Sequence, residues 1–261
     1  MRRCWYPSNR ILLPSDVTNP LKVGLTFNWS GGSLVERVTG LSGSVVGSPS
    51  FSNDGLYGKC CTCVGNTDAV TFSQGSFPGG SVPTSYPVVT LGMVWRLADN
   101  TSNPQMSTKG GTLSREWRWQ YISGSGMSLA FGKGDNNSCT AVGDYTNAGS
   151  TGQVANDTWA IHFVWFDANA SANGTTYIQG ALQSQPTLNT WNGNPYTNAV
   201  ANSAGTRGAP NTGNLAFGQA YGTLNAKGSR CNGLWVWNRQ LTAAERQAIW
   251  TAILAGSDPL A

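Results

Sequence analysis

The run Trp159-Ala160-Ile161-His162-Phe163-Val164-Trp165-Phe166 constrains this chain more than any other segment. It is apolar at every position but one, so a strand built from it has no polar face to turn to water. Its eight residues are too few to cross a bilayer as a helix. Asn156-Asp157-Thr158 precede it and Asp167 follows, residue types that punctuate chains at turns. The reading is a central strand covered on both faces. Thr175-Thr176-Tyr177-Ile178-Gln179-Gly180 follows across a polar connection, and the two segments read as a hairpin.

Other apolar or alternating runs fall at 21–27, 68–73, 87–97, 115–122, 127–132, 214–218 and 233–238, each bounded by Gly, Asn, Ser or Pro. Glycine is abundant at 33 residues and charged residues are only 11%, which suits many short strands joined by turns rather than a helical bundle. Eleven Trp supply a core, which argues against disorder. A length of 261 residues fits one large all-β sandwich, and neither an internal repeat nor a second-domain boundary is visible. One helix is predicted over 242–254. Thr242-Ala243-Ala244-Glu245 is a capping box. Ala244, Ala248, Ile249, Ala252 and Ile253 form its expected apolar stripe, and Gly256 is a natural stop. The segment Gln183–Thr212 reads as one long loop.

Residues 1–19 show no alternation and carry two prolines, so they read as an extended arm ahead of one domain spanning 20–261. The arm holds Arg2, Arg3, Trp5, Tyr6 and Arg10, residue types enriched at interface hot spots, and these are its candidate partner-docking residues. Ile11-Leu12-Leu13 is followed by Pro14, too short for the apolar region of a signal peptide. Synthesis in a cytosol without a cleaved signal is therefore expected. No stretch approaches membrane-spanning length, and no Lys/Arg run accompanies the net charge of +4, so neither a membrane nor a nucleic acid is an expected partner. Six cysteines include one CxxC spacing in Cys60-Cys61-Thr62-Cys63. A zinc site needs a second ligand pair, so these thiols are expected to be free.

Catalytic constellations are sparse. A glycosidase needs two cooperating carboxylates, and the three Glu, at 36, 116 and 245, stand apart from other acids at strand spacing. His162 is the only histidine and sits in the most apolar strand, which reads as a core position rather than a general base. No catalytic residue and no metal ligand is assigned. Trp117, Trp119 and Tyr121 would share one face of a strand. If exposed, that row suits stacking on sugar rings; if it faces inward, it is sandwich core.

Several segments together resemble a known family. Asn156-Asp157-Thr158-Trp159, Phe166-Asp167 and Tyr177-Ile178-Gln179-Gly180-Ala181-Leu182 are similar to the central hairpin of laminin-G-like, concanavalin A-like lectin/glucanase domains. Thr90-Leu91-Gly92-Met93-Val94-Trp95-Arg96 resembles an upstream strand of that family, and Met106-Ser107-Thr108-Lys109-Gly110 resembles a turn. Asn238-Arg239-Gln240-Leu241-Thr242-Ala243-Ala244-Glu245 resembles its C-terminal ending. The N-terminal half follows in order with Gly24–Asn28, Gly58-Lys59-Cys60 and Thr67–Val70. The resemblance implies an all-β fold: a two-sheet antiparallel jelly-roll sandwich with one short C-terminal helix. Some relatives bind calcium through loop oxygens, but no such ligands are assigned here, and no cofactor is expected.

Domains of this kind occur in bacteriophage virion proteins, which fold in host cytosol and reach the exterior by lysis. The resemblance therefore implies a non-enzymatic virion-surface structural protein. It would be a capsid decoration or a tail adhesin, docked on other virion proteins through the arm and oligomeric in the particle. The alternative is a glycan-binding, lectin-like module that recognises a host-surface glycan. A glycoside hydrolase of the same fold is the third reading.

Overall fold

A computed structural model describes residues 23–26, 42–65, 67–72, 88–98, 105–110, 115–122, 126–131, 140–144, 157–167, 175–188, 190–191, 194–195, 198–201, 215–218, 228–237 and 239–259, some strand residues by backbone alone. In chain order the first strands are β1 Val23–Thr26, β2 Ser44–Val46, β3 Ser50–Ser52, β4 Cys60–Thr62, β5 Ala69–Phe72 and β6 Val88–Arg96. Next come β7 Gln105–Gly110, β8 Arg115–Ile122, β9 Gly126–Phe131, β10 Thr140–Asp144, β11 Trp159–Asp167 and β12 Thr175–Leu182. The last are β13 Thr190–Trp191, β14 Asn194–Pro195, β15 Asn198–Ala201, β16 Leu215–Gly218 and β17 Arg230–Trp237, followed by helix α1, Ala243–Leu254.

The strands form an all-β sandwich of two antiparallel sheets. The first has the order β15-β12-β11-β6-β17-β4-β3, with β1 beside β4 along the outer edge of β17. The second has the order β10-β9-β8-β7-β16-β5-β2, and β13 with β14 makes a small ribbon. The late strands are inserted between early ones: β17 lies between β6 and β4, and β16 between β7 and β5. The expected hairpin of β11 with β12 is present, pairing Ala160 with Leu182 through to Asp167 with Thr175. The expected turn at Met106–Gly110 is instead strand β7, paired with β8 and β16. Likewise Gln183–Thr212 is not one loop, since it contains β13, β14 and β15. Its Asn- and Thr-rich sequence lacks an apolar alternation, and these short strands draw on neighbouring edges, β15 pairing with β12.

Side chains alternate across each strand, and the first sheet is apolar on both sides. Trp159, Ile161, Phe163, Val94, Trp235 and Trp237 join Ile249, Trp250 and Ile253 of α1 in one buried cluster. Leu91, Met93, Trp95, Ala160, His162, Val164 and Leu234 are buried on the alternate positions, toward the second sheet. Aromatics on the helix side need facing gaps. Gly92 stands opposite both Phe163 and Trp235. A Cβ placed there would lie 2.9 Å from the Trp237 ring and 3.1 Å from that of Phe163.

The capping box holds as expected: the Thr242 hydroxyl accepts from the Glu245 N–H and the Glu245 carboxylate accepts from the Thr242 N–H. Arg239 clamps the same carboxylate through Nη1 and Nη2 at 2.8 and 2.9 Å. At the other end Gly256 takes φ +74. There the N–H of Gly256 donates to Ile253 O and that of Ser257 to Ala252 O, both at 2.9 Å, a Schellman stop. The buried stripe keeps Ile249 and Ile253 of the expected set and departs from it elsewhere. It is Arg246, Ile249, Trp250 and Ile253, while Ala244 is exposed. The larger groups bury more apolar area than alanines do, and they rotate the helix about its axis accordingly. Arg246 is buried because the sheet supplies its partners. Its guanidinium lies 4.2 Å over the Trp165 ring and donates to Gln179 Oε1 and to Leu241 O.

His162 is fully buried, and its Nδ1 accepts the Trp95 indole N–H at 2.8 Å. Burial pushes its pKa down to about 3, so the ring is neutral and serves as a core acceptor. Unfolded histidine takes up its proton near pH 6.5. The unfolded state therefore binds the extra proton between pH 6.5 and 3, and stability falls as pH drops through that window.

Two outcomes are expected. Between pH 6.5 and 5, above the usual carboxylate range, unfolding free energy should decline with a slope approaching about 1.4 kcal/mol per pH unit. His162→Gln, which keeps an acceptor for Trp95, should flatten that decline in urea titrations; equal slopes in both proteins would contradict the assignment. Gly92→Ala should lose about 1–3 kcal/mol by the same measurement, because Trp237 and Phe163 must shift; an unchanged midpoint would show that the aromatic layer yields freely.

Candidate functional site

At the end of the first sheet away from the start of α1, the helix-facing side becomes polar. One row of directly opposed residues runs Thr62 on β4, Arg230 on β17, Arg96 on β6 and Trp159 on β11. Residues opposite each other across antiparallel strands share a face, so the two arginines stand side by side. Like charges in that relation are destabilising, and a sheet built for stability alone gains nothing from them. Each is neutralised from its outer flank. Asp54, in the turn after β3, pairs with Arg230 Nη1 through Oδ2. Asp157, just before β11, lies 3.1 Å from Arg96 Nη2.

Both acids are anchored locally, Asp54 through its carboxylate and Asp157 through its backbone. Asp54 Oδ1 accepts from the Ser52 hydroxyl and, at 3.0 Å, from the Cys60 thiol. Asp157 has φ 56, a left-handed backbone that Asp tolerates better than most side chains. Its N–H donates to Leu97 O at 2.7 Å. The arginine side chains are 25% and 28% exposed while Asp54 and Asp157 are 46% and 69% exposed. The guanidinium groups are thus partly desolvated between solvated acids. The Arg96 Nε is buried with no hydrogen-bond acceptor among the described residues.

Other reactive groups are engaged in structure. Asp68 accepts from the backbone N–H groups of Ser48, Val64 and Gly65 at 3.0, 2.8 and 2.7 Å. Burial alone would raise its pKa, but those bonds outweigh it and hold the carboxyl below its ordinary value. Glu245 is likewise lowered, first by its bonds to Arg239. Cys60, Cys61, Cys63 and Cys231 are free and buried. Burial raises all four thiols, Cys63 to about 12, so they are protonated rather than poised as nucleophiles. Among the described residues no three His, Cys, Asp or Glu side chains converge as metal ligands, and no helix there is long and apolar enough to span a membrane.

The sequence-predicted sites fare differently. Arg2, Arg3, Trp5, Tyr6 and Arg10 lie outside the described residues. Trp117, Trp119 and Tyr121 fall on β8, whose backbone is described. The register sets them opposite Phe131, Leu129 and Met127 of β9. The arginine row is not legible in the sequence, because Arg96 and Arg230 are far apart in the chain, one closing an apolar strand and the other opening one. A signal was present in Arg96 closing the Thr90–Arg96 run, but only pairing reveals its neighbour.

No protein-family model matches the chain, and no curated protein matches it. Solved structures do. The binding domain of botulinum neurotoxin serotype D is similar with a TM-score of 0.61 at 10% identity, over 89% of this chain and 52% of that one. The receptor binding domain of botulinum neurotoxin type G matches with a TM-score of 0.58 at 11% identity, over 87% of this chain and 50% of that one. A mutant Trypanosoma rangeli sialidase displaying trans-sialidase activity matches with a TM-score of 0.56 at 10% identity, over 90% and 33%. The chain thus spans about half the length of the toxin domains and a third of the sialidase. At such identities the likeness shows the fold: this chain shares a β-sandwich with receptor-binding domains and with part of a sialidase.

Proposed function

We propose that this protein is a non-enzymatic recognition module whose ligand is a glycan. The observation that carries this reading is the likeness, over nearly the whole chain, to domains described as receptor-binding. The donor and acceptor row of Arg96, Arg230, Asp54 and Asp157 supports it from the chemistry side. Sugar hydroxyls need both kinds of group, fixed on rigid strands. A hydrolase reading gains little from the described acids. Asp54, Asp68 and Glu245 are each held by two or more donors, and His162 is sealed in the core.

This reading favours the lectin-like alternative over a purely structural part of a virion. Of the two virion roles expected from the sequence, an adhesin fits a glycan-binding module, and a capsid-stabilising part draws no support from the described residues. Trp117, Trp119 and Tyr121 are a second candidate surface for the same ligand, through stacking.

Glycan-array binding by the full chain tests the proposal. Saturable binding to a defined subset, with no sugar released from those ligands, is the expected result. Loss of binding in Arg96→Gln assigns the ligand to the first sheet, and loss in Trp117→Ala with Trp119→Ala assigns it to β8. A blank array, or release of sugar, overturns the reading.

A further inference from the structure

The geometry points to an oxyanion subsite between Arg96 and Arg230, fitted to the carboxylate or sulfate of an acidic saccharide. Four charges cross this face in the order Asp157, Arg96, Arg230, Asp54. The order follows from the strands that bear them, β11, β6, β17 and the turn after β3. The two positive groups meet in the middle and each ion pair pulls outward. Nothing among the described residues offsets their mutual repulsion from between them. A bound oxyanion does so directly.

The donor count agrees. A guanidinium carries five N–H donors in a planar fork. Arg230 engages Asp54 through Nη1 and Arg96 engages Asp157 through Nη2. Arg96 Nε, buried and lacking an acceptor among the described residues, is the most costly donor to leave unmet. Arg96 and Arg230 are rooted at directly opposed positions of neighbouring strands, roughly 4.8 Å apart at the backbone, so an oxyanion lying across the row is within reach of both forks. The site is also rigid. Arg96 and Arg230 are fixed on the paired central strands of the first sheet, and the acid flanks are tied down by Ser52, Cys60 and the Leu97 carbonyl. Neutral hydroxyls satisfy these donors less well, because an oxyanion adds the attraction of opposite charges and offers two or more acceptor oxygens to the planar forks. Asp157, the more exposed of the two flanking carboxylates, can then accept from hydroxyls beside the anionic group.

That the anion belongs to a saccharide rests on the function proposed above; the oxyanion preference does not. The test separates them. The intact protein, labelled with 15N at arginine, is titrated at constant ionic strength with glucuronate, with inorganic sulfate and with glucose. The Nε–H signals of Arg96 and Arg230 are followed. Glucuronate or sulfate should move both signals together along one saturating curve, and glucose should leave them in place. A saturable response to glucuronate alone identifies a carboxylate ligand, and one to sulfate alone a sulfated ligand. Arg230→Gln should weaken the Arg96 response roughly tenfold, with its melting temperature recorded as the check on folding. The wild-type titration decides the matter even if that variant fails to fold. Signals that do not move, or that drift linearly with every anion including chloride, overturn the subsite. Saturable shifts with a blank glycan array keep the subsite and remove the saccharide. Array binding with unmoved arginine signals does the reverse.

Discussion

Strands apolar on both faces cannot form a stable sheet unless something covers each side, and this requirement organises the molecule. β6, β11 and β17 are all of this kind. The second sheet covers one face. The other is covered by α1 and by the turn after β12, where Leu188 N–H donates to Gln247 Oε1 and the Trp250 indole donates to Gln185 O. Arg246 locks the helix over Trp165, which in turn stacks on Tyr177 with rings 5.2 Å apart. A desolvated cation on an aromatic face is worth about 2 kcal/mol. Burial still lowers the Arg246 pKa to about 10, which leaves it charged at neutral pH. Its neutral oxygen partners at Gln179 and Leu241 fix the helix in one register rather than letting an apolar face slide.

The interleaved topology explains why the first sheet can carry a precise polar row at its rim. β17 is pinned on one side by β6 and on the other by β1 and β4. Its first residue, Arg230, is therefore set by pairings with residues far away in the chain. Asn232 strengthens the same region: its side chain donates to the carbonyls of Tyr57 and Lys59 and accepts from Tyr57 N–H. It thereby holds the turn that carries Asp54. A recognition surface on such a frame loses little entropy on binding, because its side chains are already ordered.

The placement of polar groups divides by depth. Deep ones are neutral or held by several partners, as with His162 accepting from Trp95, Asp68 gathering three backbone donors and Arg246 set between Gln179, Leu241 and Trp165. Charged pairs with capacity to spare lie at the rim, where water or a ligand completes them. This division is what low dielectric demands, since an unpaired charge is costly inside and tolerable at a boundary.

Local sequence determined most of the elements. The apolar run from Trp159, the turn residues around it and the capping box at Thr242 act over a few neighbours, so period and punctuation suffice to read them. Strands β6, β8, β9, β11, β12, β16 and β17 and the helix are legible in this way. Polar or very short strands such as β7, β10 and β15 are not, because they depend on a neighbouring edge rather than on their own pattern. The stripe of α1 is legible at Ile249 and Ile253 but not at Arg246, a buried position only because Trp165 and Gln179 receive it. The arginine row is the extreme case. Arg96 and Arg230 become neighbours through strand insertion alone, and pairing energy between strands distant in sequence is a property that no local pattern encodes.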